Sequence, residues 1–71
     1  MKEEELRKYN TIFNDIWNHF KKYSSPDRSE SFWKLYAEDV KALDSKYEYS
    51  ELFRNLVLAV TKEIMKIERE R

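Results

Sequence analysis

The chain contains no glycine, one proline, Pro26, and no cysteine in 71 residues. Average usage would place about five glycines in a chain of this length. Glycine is the usual occupant of positive-φ positions, and so of most tight hairpin turns and bulges. A strand-rich fold is hard to build without it. Long helices joined by very few turns are the natural alternative, and Pro26 marks one of the turns.

Hydrophobic periodicity divides the chain into three helical segments. In residues 3–23 the apolar side chains Leu6, Tyr9, Phe13, Ile16, Phe20 and Tyr23 step by three and four, with Ile12 and Trp17 flanking the stripe. Glu3–Glu5 at its start and Lys21 and Lys22 at its end complement the helix dipole. The buried face is broad and suits packing against two neighbours, with Trp17 and Phe20 in the core. Pro26 disfavours helix at Ser25 and ends the segment. Asp27 with Glu30 fits a capping box, Ser29 competes as N-cap, and a second helix is predicted over 28–47. Its stripe is Phe32, Trp33, Tyr36, Val40, Leu43 and Tyr47. Ser50 then caps a third helix, 51–69, with the stripe Phe53, Leu56, Val57, Val60, Ile64 and Ile67, widened by Leu52 and Ala59. The prediction is all-α, an antiparallel three-helix bundle forming one domain over 1–71. A bent helical hairpin completed by a second copy is the other architecture. No repeat or linker stands out.

Composition excludes several functions. The charged fraction is 39% and the net charge zero, so nothing marks a polyanion or polycation partner. Lack of cysteine removes disulfides, thiolate catalysis and thiolate metal sites. No apolar run approaches the ~18 residues of a membrane span, and the acidic start MKEEEL has no signal-peptide core. A cytoplasmic protein is expected. The aromatic fraction, 15%, argues against a disordered tail.

Candidate chemistry is sparse. His19, the one histidine, falls at the edge of the first stripe without a nucleophile or second histidine at catalytic spacing, and reads as a boundary residue. The carboxylates mostly have Lys or Arg at helical spacing, as Glu38 has Lys41, which reads as a solvated face. There is no Glu-x-x-His, no calcium loop and no glycine-rich phosphate cradle. No catalytic residue, cofactor, metal or small-molecule substrate is expected. The basic residues Lys21, Lys22, Arg28, Arg54, Lys62, Lys66 and Arg69 support a nucleic-acid-associated regulator as the second reading, against the zero net charge.

Apolar residues off the main stripes are more informative. Leu58 and Met65 are seven apart and lie roughly opposite the centre of the third stripe, at ~100° per residue. Leu35 and Ala42 on the second helix are also seven apart and off-face. These two pairs, with Arg54, Thr61 and Lys62 beside the first, mark a surface for a protein partner or for self-association.

The pattern Phe13-x-x-Ile16-Trp17-x-x-Phe20-Lys21-Lys22-Tyr23, then Phe32-Trp33, Lys46-Tyr47 and Phe53-x-x-Leu56-Val57-Leu58-Ala59-Val60-x-x-Glu63 resembles small all-helical proteins carried by phages and mobile elements of Firmicutes. The resemblance implies a shared fold. It also implies a context: accessory proteins that inhibit or adapt host machinery, anti-defence proteins included.

Overall fold

A computed structural model describes residues 1–71 as three helices and no strand: α1 (Glu3–Lys22), α2 (Glu30–Lys46) and α3 (Glu51–Glu70). The all-α three-helix bundle expected from the sequence is what forms. The order is up-down-up. Ile12 and Ile16 of α1 pack at the level of Phe53, and Tyr23 packs at the level of Ile64, so α1 and α3 run parallel with α2 antiparallel to both. No helix is long and apolar enough to cross a membrane.

The boundaries have local causes. α2 begins at Glu30, two residues later than predicted, because Ser29 takes the N-cap: its hydroxyl accepts from the Phe32 N–H at 3.1 Å. Asp27 instead accepts from the N–H of Ser29 at 3.0 Å and from its hydroxyl. Ser50 caps α3 as expected, accepting from the Phe53 N–H at 3.3 Å. α1 and α2 end one residue before the predicted ends and α3 one residue after.

Without glycine, the turns use other residues at positive φ: Arg28 at 63°, Glu48 at 52° and Tyr49 at 62°. At the end of α2 the Glu48 N–H donates to the Ser45 carbonyl at 3.1 Å and the Tyr49 N–H to the Asp44 carbonyl at 2.9 Å. That is the Schellman arrangement normally built on glycine. Each such residue costs about 1–2 kcal/mol in this conformation, offset here by capping the last carbonyls of the helix.

The core is small and has two centres, both on α3. Phe53 packs with Ile12 and Ile16, and Ile64 packs with Tyr23 and Tyr36; Val60 lies against both clusters. α3 is thus the spine. α1 lies closely along it, and α1 and α2 approach each other less closely.

Here the α1 expectation needs correcting. The line turned to the core is Ile12, Ile16, His19 and Tyr23. Leu6, Tyr9, Phe13 and Trp17 are exposed, Trp17 to 55%. Their stripe sits roughly 90° around the helix from the buried line, at ~100° per residue. The apolar arc of α1 is wider than one close neighbour can cover, and α2 lies on its other flank. In α2 the expected Tyr36 is the buried residue, and in α3 Phe53 and Ile64 head the stripe as read.

Truncation separates the two assignments. Phe53→Ala is expected to cost about 3–5 kcal/mol, against under about 1 kcal/mol for Trp17→Ala, as for a surface substitution. Urea denaturation of both variants checks the ordering.

Candidate contact surfaces and the interhelical clamps

Two reciprocal clamps fix α1 against α2. On α1, Asp39 of the facing helix is gripped by Lys22, at 2.7 Å, and by the Tyr23 hydroxyl, which donates to the same oxygen. On α2, Lys46 at 2.7 Å and the Tyr47 hydroxyl grip Asp15 of α1 in the same way. Each carboxylate stands seven residues before the Lys-Tyr pair of its own helix: Asp15 before Lys22-Tyr23, Asp39 before Lys46-Tyr47. Antiparallel packing turns this repeated Asp-x6-Lys-Tyr spacing into a pair of mutual contacts. The sequence reading missed this spacing, because pairs within a helix sit three or four apart and these cross between helices.

The clamps set the charge states. The Lys22 hydrogen bond, then that of Tyr23, holds the Asp39 carboxyl below the ordinary carboxylate range. Burial pushes Asp15 up, but the Lys46 and Tyr47 hydrogen bonds outweigh it and leave its pKa lowered. Burial, reinforced by the bond to aspartate, raises both tyrosines.

Between the clamps lies a cleft of about 300 Å³ bordered by Asn18, His19, Ala42 and Leu43 together with Asp15, Lys22 and Asp39 of the clamps. His19 is not the boundary residue its sequence position suggested. It is 5% exposed, with its ring 5.0 Å from that of Tyr23 and 4.6 Å from that of Tyr36. Its Nε2 is buried without a hydrogen-bond partner. Burial lowers its pKa, opposed by the Asp39 charge and assisted by Lys22. No three His, Asp or Glu side chains converge as metal ligands would.

On the other side of α2, a groove of about 230 Å³ separates it from α3, lined by Val40, Asp44, Phe53, Arg54, Val57, Leu58 and Thr61. Leu58 is 53% and Met65 48% exposed. The residues chosen from sequence to flank them differ in availability. Lys62 is exposed. Arg54 forks onto Asp44 through two bonds of 3.2 Å and lies over the Tyr49 ring. Thr61 is half-buried and shares a 2.6 Å hydrogen bond with the Tyr36 hydroxyl. Leu35 and Ala42 are exposed, but Ala42 borders the α1–α2 cleft. The structure therefore places the two apolar pairs on different flanks of the bundle. The largest exposed apolar stripe, on α1, had been assigned to the core.

The basic residues are similarly divided. Lys22 is held by Asp39, and the Arg28 guanidinium donates to the Glu68 carbonyl at 3.1 Å. Lys62, Lys66 and Arg69 are exposed along the outer face of α3, and Lys21 lies over the Trp17 ring.

A lowered His19 pKa has a definite sign. The unfolded chain takes up a proton near pH 6.5 and the folded chain only at lower pH, so stability is full above about 6.5 and falls as pH drops below it. Asp15 and Asp39 act later: their contribution is present above the ordinary value of 3.8 and is lost as pH falls through their lower folded values. Urea midpoints measured between pH 7 and 5 are expected to fall for the parent. For His19→Phe, which keeps the ring packing and removes the unpaired nitrogen, they are expected to stay level.

No protein-family model matches this chain, and neither a curated protein nor a solved structure shows significant similarity to it.

Proposed function

We propose that the chain is a non-enzymatic protein-binding module that acts sterically, laying a rigid helical face on a larger partner. The observation that carries this reading is the Leu58–Met65 pair: two side chains, each about half exposed, two turns apart on one flank of α3, with Leu58 lining the α2–α3 groove. Lys62 and Arg69 stand one turn beyond Leu58 and Met65 respectively, both exposed. The surface therefore suits an apolar ridge with a carboxylate rim on the partner. A helix laid along the groove would meet both requirements.

Two further features support the reading. The clamp carboxylates, the groups best suited to acid–base work, are each engaged by a lysine and a tyrosine. The resemblance to accessory proteins of phages and mobile elements suggests a cytoplasmic host factor as the partner, inhibited or adapted by occlusion.

The test is the double variant Leu58→Glu/Met65→Glu. Both sites are exposed, so helicity and melting temperature are expected to stay close to the parent. Capture of a host protein by the immobilised parent, identified by mass spectrometry, should be lost with the variant. A variant that retains every interaction removes this face from consideration. Fluorescence anisotropy with duplex DNA over a salt series addresses the alternative. Tight binding that falls steeply with salt, and is weakened by neutralising Lys62, Lys66 and Arg69, would make the protein a nucleic-acid-associated regulator.

A further inference from the structure

The exposed stripe of α1 lies on a different flank from Leu58 and Met65. Leu6, Tyr9, Phe13, Trp17 and Phe20 fall within an arc of roughly 80° at ~100° per residue. The clamps hold α2 against the opposite flank of α1; Phe20, at the end of the stripe, is half-buried against the Ile64 cluster, and Leu6, Tyr9, Phe13 and Trp17 remain exposed. Leu56 and Ile67, half-buried on the edge of α3 remote from α2, continue the same face.

The spacing of the stripe is symmetric. Tyr9 and Trp17 stand four residues either side of Phe13, and Leu6 and Phe20 stand seven either side. A twofold axis at Phe13 would lay Leu6 on Phe20, Tyr9 on Trp17 and Phe13 on its own copy. Charge follows the same symmetry. Glu3 and Lys21 share one rim of the stripe, ten residues before and eight after Phe13. In an antiparallel pair, Glu3 of one copy comes within about 3 Å of Lys21 of the other along the helix axis. A parallel pair would instead set the Glu3–Glu5 cluster against itself. The in-chain bond of Glu3, to Arg7 at 3.2 Å, joins two highly exposed side chains and leaves Glu3 free to exchange partners.

The overhang of α1 has the same explanation. Residues 1–11 are all exposed, and burial begins at Ile12. Of the nine helical residues before Ile12, Thr11 is tied to the end of α2, where its carbonyl accepts from the Tyr47 hydroxyl at 3.2 Å; the turns before it are exposed, and so short a helix is marginal alone. We propose that this face is the interface of an antiparallel, twofold homodimer, in which the second copy's α1 covers Leu6, Tyr9, Phe13 and Trp17 and supports the overhang.

The area is adequate for a modest dimer. At exposures of 54, 42, 51 and 55%, Leu6, Tyr9, Phe13 and Trp17 leave on the order of 400 Å² of accessible surface per chain. Two copies bring about 800 Å² together, and the rim with Phe20, Leu56 and Ile67 carries the total toward the ~1,200 Å² lower bound of specific interfaces. An interface at that lower bound is expected to be weak and to form reversibly with concentration.

Sedimentation equilibrium between about 1 µM and 1 mM, a range suited to weak association, should show a reversible dimer. Phe13→Glu, which sets two like charges at the axis, should weaken it at least about tenfold with an unchanged circular dichroism spectrum. Glu3→Lys and Lys21→Glu should each weaken it a few-fold, and the two together should restore it. The restoration decides the matter even where Phe13→Glu loses helix. Spin labels at Asn14→Cys and Lys2→Cys, one and eleven residues from the axis, should report a short and a long separation, differing by about 30 Å along the axis. Leu58→Glu/Met65→Glu should leave the dimer intact, so this proposal and the α3 face are judged separately. A chain monomeric to 1 mM, a dimer indifferent to both Phe13→Glu and the charge swap, or short separations at both labels would overturn it.

Discussion

Phe53 and Ile64, the two largest side chains closed completely to solvent, stand eleven residues apart on α3. Three helical turns separate them, so each gathers its own cluster: Ile12 and Ile16 around Phe53, Tyr23 and Tyr36 around Ile64. Both other helices are positioned by reference to this pair. A chain of this size can bury only a small core, and here it is concentrated along one line of one helix. The consequence is an elongated molecule, 43 × 21 × 17 Å, in which α1 and α2 are joined to each other chiefly by the Asp–Lys–Tyr clamps and the aromatic ring contacts between them.

Much of the fold was legible in the sequence, for reasons particular residues make plain. The lack of glycine pointed to helices. Ser50 was read as a cap and is one, and Pro26 stands in the first break. On α3 the centre of the hydrophobic period is also the centre of the core, because α3 has neighbours on both sides of that line. On α1 the same method located the apolar arc correctly and misassigned its buried part. Periodicity shows which residues share a face. It does not show how much of that face a neighbour covers. Ile12 read as a flank and is buried; Phe13 and Trp17 read as core and are exposed. His19 failed for a related reason: it is a polar residue accepted inside because two tyrosine rings pack against it. The second break was placed correctly between Tyr47 and Ser50, but its geometry was not legible, since a Schellman turn without glycine leaves no compositional trace.

The proposed function rests on the same division between covered and uncovered faces. The chain exposes nine large hydrophobic side chains and buries six hydrophobic ones as its core. Scattered exposure of this kind is ordinary on protein surfaces, but here two groups are ordered. One is the heptad pair Leu58 and Met65, flanked by exposed cations, with Leu58 lining the α2–α3 groove. The other is the symmetric aromatic stripe of α1. A rigid scaffold with two ordered apolar flanks on different sides is suited to joining two things: a copy of itself through one flank and a partner through the other. Dimerisation would also present the Leu58–Met65 face twice, which raises avidity for a partner that is itself repeated or symmetric.

The central claim is that the α1 stripe lies on the surface of the folded chain, while Ile12, Ile16 and Tyr23 are the α1 side that the other two helices cover. Side-chain NMR in the presence of a soluble paramagnetic agent, at a concentration low enough to keep the chain monomeric, tests this directly. Strong broadening is expected for Leu6, Phe13 and Trp17, with Ile12, Phe53 and Ile64 spared. Protection of Phe13 and Trp17 to the level of Ile12 in the folded monomer would contradict it.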